Sequence, residues 1–373
     1  MMLAIILVAV VCLAFANGAN DNFKGVATLF GSGTTNYRGA LAWATATTLL
    51  GSLTAVFLAN TLLKTFSGKG LVDPTLASTV DYGSAVALGA GLTVLLATRI
   101  GMPVSTTHGL VGSLIGAGLA AGSAIDLHKL GSGFFAPLLI SPFVAVAAAL
   151  ILYPMLTLVR RRLGVTSQTC LCVGNKVVET IPASCNSVAL AVERADELSI
   201  ELGDKVKCQR HYQQRMFGID AASTLDALHY LSAGLVSFAR GLNDTPKIAA
   251  LLLLAPAFGG FSSTAMVGVA MAIGGVVSAK RVAGTMSEKI TTMNHGQGFT
   301  ANIITGLIVI GASRLGMPVS TTHVSCGSLF GIGTVTRQGN WRTMAKILGA
   351  WVLTLPLGAA IGFTCYWAIG KIF

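Results

Sequence analysis

Two short stretches of this sequence combine residues that could do chemistry, and each occurs twice. Ser105, Thr106 and Thr107 stand between Gly101-Met102-Pro103-Val104 and His108, and the same eight letters return from Gly316 to His323 around Ser320, Thr321 and Thr322. Asn20-Asp21 has its counterpart in Asn243-Asp244. A proline fits the first turn of a helix, where its missing N–H costs nothing. Hydroxyls that follow it, with the unpaired N–H groups and roughly half a positive charge of a helix start, make an anion site. Two such starts converging would surround a tetrahedral oxyanion with neutral donors, which can hold a solute and still release it. A single copy reads better as helix capping or as hydroxyls bonded to neighbouring carbonyls. An identical pair flanked by glycines favours binding.

Asp21 and Asp244 lie inside apolar sequence, where an ionisable group is costly and marks a functional site by default. A carboxylate with an adjacent amide, beside carbonyls freed by a broken helix, offers oxygen ligands to a hard monovalent cation. Asn20, Asp21, Asn243 and Asp244 are therefore expected to bind such an ion. Asn17 is a weaker member of the set, since its counterpart in the second copy is Arg240. The competing reading is a salt bridge from each aspartate to Lys24 or Lys247, three residues on, and the two readings can coexist. A protonatable aspartate could also carry H⁺, and the residues do not separate the ions. Arg99 and Arg314 are expected to reach for the membrane interface rather than the solute. His108 and His323 either assist the anion or pack as hydrogen-bonded imidazoles. Thr45, Thr47 and Thr48 read as helix-packing hydroxyls.

The elements that must position these residues are apolar. Of 373 residues, 53% are hydrophobic and 10% charged, against about 25% charged in globular domains. The mean hydropathy is +0.73. Apolar runs long enough for a membrane core, which takes about 20 helical residues, recur along the chain. They include residues 40–63, 82–100, 134–159, 263–279 and 341–369, and the 44 glycines among them suit closely packed membrane helices. Residues 109–121 and 327–333 are too short to span and suit re-entrant half-helices. The apolar start has no basic region or cleavage site, and is expected to be a membrane segment that stops at Asn17-Gly18-Ala19-Asn20-Asp21-Asn22. A second is expected to stop at Arg240-Gly241-Leu242-Asn243-Asp244. The net charge of +11 lacks the basic stripes with interleaved aromatics that nucleic acid would call for, and reads as cytoplasmic loops facing anionic lipid.

Residues 160–215 differ, with 15 of the chain's 39 charges in 56 positions. They hold β-like runs at Lys176-Val177-Val178 and Ser187–Val192. Arg160-Arg161-Arg162 at the entrance places this insert in the cytoplasm. Its cysteines, Cys170, Cys172, Cys185 and Cys208, have poor zinc spacing and are expected to be thiols, or disulfides if the source is hyperthermophilic. The expected organisation is a membrane repeat over residues 1–159, a cytoplasmic insert over 160–215, and a second membrane repeat over 216–373.

The repeats align by letter. Residues 91–108 and 306–323 share 13 of 18 positions. Phe15-Ala16-x-Gly18-x-Asn20-Asp21-x-x-Lys24 matches Phe238-Ala239-x-Gly241-x-Asn243-Asp244-x-x-Lys247. Duplication of a unit with broken helices is the signature of a secondary transporter, with its site at the repeat interface near mid-membrane. Inversion of one repeat is the expectation.

Gly18-Ala19-Asn20-Asp21, Gly241-Leu242-Asn243-Asp244 and the paired Pro-Val-Ser-Thr-Thr-His motifs resemble those of the inorganic phosphate transporter (PiT) family, over both halves and outside the insert. The resemblance implies inward phosphate symport driven by sodium or, in many bacterial members, by protons, on an inverted-repeat fold with re-entrant helical hairpins, and dimers. It assigns phosphate to Ser105, Thr106, Thr107, Ser320, Thr321 and Thr322. Sodium, the favoured coupling ion, would lie at Asn20, Asp21, Asn243, Asp244 and Asn17. The chain departs from the usual pattern at Asn22-Phe23-Lys24, where small residues are common, and at Arg240, where relatives often carry His.

The expectation is thus an all-α polytopic protein of the inner membrane that is no enzyme, uses no cofactor beyond its coupling ions, and works as a homodimer. A proton-coupled sulfate permease of the same fold is the nearest rival. A passive anion channel would call for basic or hydrophobic rings, and the buried aspartates argue against it. An intramembrane enzyme would need an activated nucleophile, for which His108 and His323 have no carboxylate partner nearby in sequence.

Overall fold

A computed structural model of the chain describes residues 2–179, 192–204, 219–254 and 260–372. The first half runs through α1 (Met2–Asp21), α2 (Ala27–Gly31), α3 (Tyr37–Leu58), α4 (Asn60–Thr65), α5 (Val80–Arg99), α6 (Thr106–Ala120) and α7 (Ala136–Arg162). The second runs through α8 (Ala221–Ala249), α9 (Gly260–Ser278), α10 (Lys280–Gly284), α11 (His295–Arg314), α12 (Thr321–Thr336) and α13 (Trp341–Ile372). Among the described residues seven helices are long and apolar enough to cross a membrane. The starts are capped as their sequences allow. The side chain of Asn36 accepts from Gly39 N for α3, Thr79 accepts from Tyr82 N for α5, and Asn294 forms a reciprocal capping box with Gln297 for α11.

The chain divides into two compact units, one of residues 1–153 with 229–373 and one of residues 154–228. In the smaller unit β1 (Thr169–Glu179) pairs antiparallel with β2 (Val192–Asp204) on one side and β3 (Ile219–Asp220) on the other. Lys176-Val177-Val178 falls in β1, beside a bulge between Asn175 and Val177. The run Ser187–Ala191, with Cys185 and Cys208, lies outside the described residues.

In the larger unit the halves interleave, and several close contacts recur with the halves exchanged. Helix α6 lies along α13, with Gly112 against the Leu355 carbonyl, and α12 lies along α7, with Gly327 against the Pro142 carbonyl. Helix α1 meets α9 where Gly18 faces the Met271 carbonyl; α8 meets α3 where Gly241 faces the Thr48 carbonyl. A Cβ at either Gly18 or Gly241 would overlap that backbone, so only glycine allows these approaches. Lipid offers no hydrophobic incentive for helices to associate, so such small-residue contacts carry the packing. On the outer side α7 presents Leu139, Ile140, Phe143 and Ile151, all exposed.

The structure corrects three local expectations. Helix α1 includes Asn17 to Asp21 rather than stopping before them, and breaks only afterwards, through a 3-10 turn at Lys24–Val26. Helix α8 does not stop at Arg240; it runs through Asn243-Asp244 and Pro246 to Ala249 before a 3-10 turn at Ala250–Leu254. These side chains bond across to other helices, so they need not end their own. Pro103 and Pro318 stand ahead of their helices rather than in the first turn, because Ser105 and Ser320 take the N-cap position. The turn before each proline is closed by a glycine, Gly101 or Gly316, at φ +71°, where other residues are strained.

Candidate functional site

Both hydroxyl motifs open a helix. Ser105 Oγ accepts from His108 N at 3.2 Å, and Ser320 Oγ accepts from His323 N at 3.3 Å. The six hydroxyl residues of the two motifs are each at most 5% exposed, so none is open to the surface. Between the motifs lie five charged side chains, Asp21, Lys24, Arg240, Asp244 and Lys247, each at most 3% exposed. Three are formally positive and two negative.

These groups satisfy one another across the halves. Lys24 donates to Asp21 Oδ1, to Asn20 Oδ1 at 2.8 Å and to the Val104 carbonyl at 2.8 Å, all within the first half. It also donates to Thr322 Oγ1, in the second half, at 2.6 Å. Lys247 mirrors it. Its Nζ lies 2.7 Å from the Val319 carbonyl, 3.4 Å from Asp244 Oδ1 and, across the halves, 2.8 Å from Thr107 Oγ1. Thus each lysine joins its own aspartate to the hydroxyl motif of the other half.

Asn17 sits between the two sets. Its amide nitrogen is 3.2 Å from Asp21 Oδ2, 3.2 Å from Asp244 Oδ2 and 3.0 Å from Thr106 Oγ1, while Thr106 itself donates to Asp21 Oδ2 at 3.2 Å. The Asn17 oxygen accepts from Arg240 at 3.2 Å. Arg240 also donates to Asn22 Oδ1 at 2.9 Å and approaches Asp244 at 3.9 Å. Asn20 Nδ2 donates to Thr98 Oγ1 and the Met102 carbonyl, each at 3.0 Å, and Asn243 Nδ2 donates to the Val319 carbonyl at 3.2 Å. Taking such charges out of water costs several kcal/mol per ion, which these hydrogen bonds offset, although Arg240 Nε has no hydrogen-bond partner among the described residues.

The histidines pack beside the motifs. His108 Nδ1 lies 3.1 Å from the Trp351 carbonyl and His323 Nδ1 lies 3.4 Å from the Leu138 carbonyl, again the same contact with halves exchanged. Their rings meet edge to face at 4.5 Å, and Trp351 stacks on His323 at 3.8 Å.

A family model described as the phosphate transporter family matches residues 17–362. The chain belongs to the phosphate transporter family. It is therefore a transporter and not an enzyme, and its apolar helices make it a multi-pass membrane protein. A probable low-affinity inorganic phosphate transporter of Rhizobium meliloti is 28% identical over 95% of this chain and 92% of its own length. One of Bacillus subtilis is 27% identical over 99% and 98%. Among solved structures, the sodium-dependent phosphate transporter matches along the full length of both chains with a TM-score of 0.76 at 20% identity, which shows the shared fold.

In this transporter, Thr106, Thr107 and Thr322, both Asn-Asp pairs and Asn17 are joined by hydrogen bonds at one buried centre, while Ser105 and Ser320 are buried as helix caps and Thr321 is buried beside them in sequence. The oxygens of Asn20 and Asp21 that were expected to meet a sodium ion face the Lys24 ammonium. Arg99 and Arg314 are exposed, away from the centre. Thr45 and Thr47 bond to carbonyls one turn back, and Thr48 bonds to the Ser237 carbonyl. Sequence reasoning gave Lys24 and Lys247 only the lesser role of salt-bridge partners and left Arg240 and Trp351 out of the site. The lysines had a signal, their identical spacing after each Asp. Trp351 had none.

Proposed function

We propose that this transporter imports inorganic phosphate by cation symport, through alternating access of one central site. The observation that carries the reading is the pairing of two hydroxyl-bearing helix starts around a buried cluster with one more positive than negative charge. An oxyanion entering that cluster meets the donors of Ser105, Thr106, Thr107, Ser320, Thr321 and Thr322 in a field that favours it. The names of the relatives and of the structural neighbour support phosphate as the oxyanion. The sealing of every one of these side chains supports alternating access, since a solute reaches them only when helices part. The exchange of equivalent contacts between halves supports an inverted repeat. In this reading the protein is a homodimer of the cell (inner) membrane, as the family resemblance implies, and Arg160-Arg161-Arg162 supports a cytoplasmic insert.

Uptake of radiolabelled phosphate into proteoliposomes, with sodium and pH gradients imposed separately, tests this. Accumulation against a phosphate gradient is expected when a cation gradient is imposed. Indifference to both gradients sinks symport and favours a channel, while full competition by sulfate reassigns the substrate.

A further inference from the structure

The two lysines of the central cluster fill the places that the Asn-Asp pairs would offer to a metal cation. Around Lys24 Nζ stand a carboxylate oxygen of Asp21, the amide oxygen of Asn20 at 2.8 Å, the backbone carbonyl of Val104 at 2.8 Å and the hydroxyl of Thr322 at 2.6 Å. Those four oxygens are of the kinds that hold a hard monovalent cation, and here they hold an ammonium. The cage around Lys247 Nζ repeats three of the four kinds, with the Val319 carbonyl at 2.7 Å, the Thr107 hydroxyl at 2.8 Å and Asp244 at 3.4 Å. Two independent cages with the same occupant, each reaching across to the other half, are not a chance salt bridge.

We propose that the ammonium groups of Lys24 and Lys247 are tethered replacements for sodium ions, so that this transporter binds its oxyanion without sodium and the cation of its symport is the proton. The inference rests on the oxyanion reading of the central site and deepens it. A version of the site with the two aspartates and Arg240 but no lysines would carry a net negative charge of one and could accept a phosphate dianion only with ions recruited from solution. Here the ions arrive with the chain. A sodium ion entering either cage would sit about 4 Å or less from an ammonium, and at the effective dielectric of a protein site that repulsion weakens its binding about a thousandfold. Arg240 adds a third positive charge, 3.9 Å from Asp244 and bonded to the Asn17 amide oxygen. Each ammonium also donates to a hydroxyl of the opposite motif, so the built-in cation and the oxyanion donors form one unit.

The test uses the full-length protein in detergent, with radioactive sodium and inorganic phosphate as separate probes. Wild type is expected to bind no sodium at millimolar concentration, and its phosphate Kd should change less than twofold when sodium chloride replaces choline chloride. The Lys24→Ala variant, which empties one cage, should gain sodium binding. Its phosphate Kd should rise at least tenfold in choline and recover at least fivefold in sodium or ammonium. Lys24→Met, which fills the cage with neutral bulk, should lose phosphate affinity without recovery. Saturable sodium binding by wild type, or a tenfold tightening of phosphate by sodium, overturns the proposal and needs no variant to fold. If wild type binds neither sodium nor phosphate but Lys24→Ala gains sodium, the cages stand and only the phosphate reading falls.

Discussion

Lys24 Nζ lies 2.6 Å from Thr322 Oγ1, joining residues 298 positions apart across the two halves. The equivalent bond from Lys247 to Thr107 runs the other way at 2.8 Å. Together they clamp the hydroxyl motifs to the charged centre, so any movement that opens the site must break or carry both.

Replacing Thr107 or Thr322 by valine keeps the shape and removes the hydroxyl. A buried lysine N–H then loses a charge-assisted bond, a loss of about 1.5–3 kcal/mol. If the same energy is needed to orient the oxyanion donors, the KM for phosphate should rise on the order of 10- to 100-fold. Thr322→Ser, which retains the hydroxyl, should stay near wild type. Uptake kinetics of the four proteins check this; equal KM values across Thr, Ser and Val would remove these hydroxyls from the site.

Ser105 and Ser320 are helix caps by geometry, and their alanine variants separate capping from binding. Loss of an N-cap costs about 1 kcal/mol. A lowered melting temperature with an unchanged phosphate Kd would assign the serines to structure alone. The expected result is both a lower melting temperature and a weaker Kd, because the freed His108 or His323 N–H no longer has a fixed partner at the anion-facing helix start.

Gly18→Ala and Gly241→Ala place a methyl group on a backbone carbonyl of the facing helix. Overpacking usually costs about 1–3 kcal/mol, and a backbone that cannot yield sits at the upper end. Gly349→Ala and Gly370→Ala, where nothing lies within 4 Å, should be tolerated. Thermal melting of the purified proteins should put the first pair well below the second.

Ala124 and Gln338 are exposed residues that follow the equivalent helices α6 and α12. With one repeat inverted, they face opposite sides of the membrane. Cysteines introduced there should react with an impermeant maleimide in intact cells at one position and in inverted vesicles at the other. Labelling of both from the same side rules out inversion.

Much of the candidate site was legible in the sequence. The duplicated motifs, their order and their glycines already indicated a membrane transporter for an oxyanion, because a strict repeat of polar letters in apolar sequence has few other uses. The length of α6, Thr106–Ala120, is close to the 13-residue half-helix expected from residues 109–121. The expected helix stops at the Asn-Asp pairs were wrong for a physical reason. Asn243 looks like a helix terminator in isolation, yet it donates to the Val319 carbonyl of another segment, so α8 continues past it.

By itself, then, the sequence determined what kinds of atoms would meet and that they would meet twice. Apolar length, repeat register and the residue types at Ser105–Thr107 and Ser320–Thr322 are local properties that letters carry. Only the tertiary structure decided which partners those atoms have. Whether Asp21 and Asp244 turn to a solution ion or to Lys24 and Lys247 depends on where Val104, Thr322, Val319 and Thr107 place their oxygens. Those positions are set by helix contacts between residues more than two hundred positions apart, and a burial energy of several kcal/mol per charge makes the choice decisive.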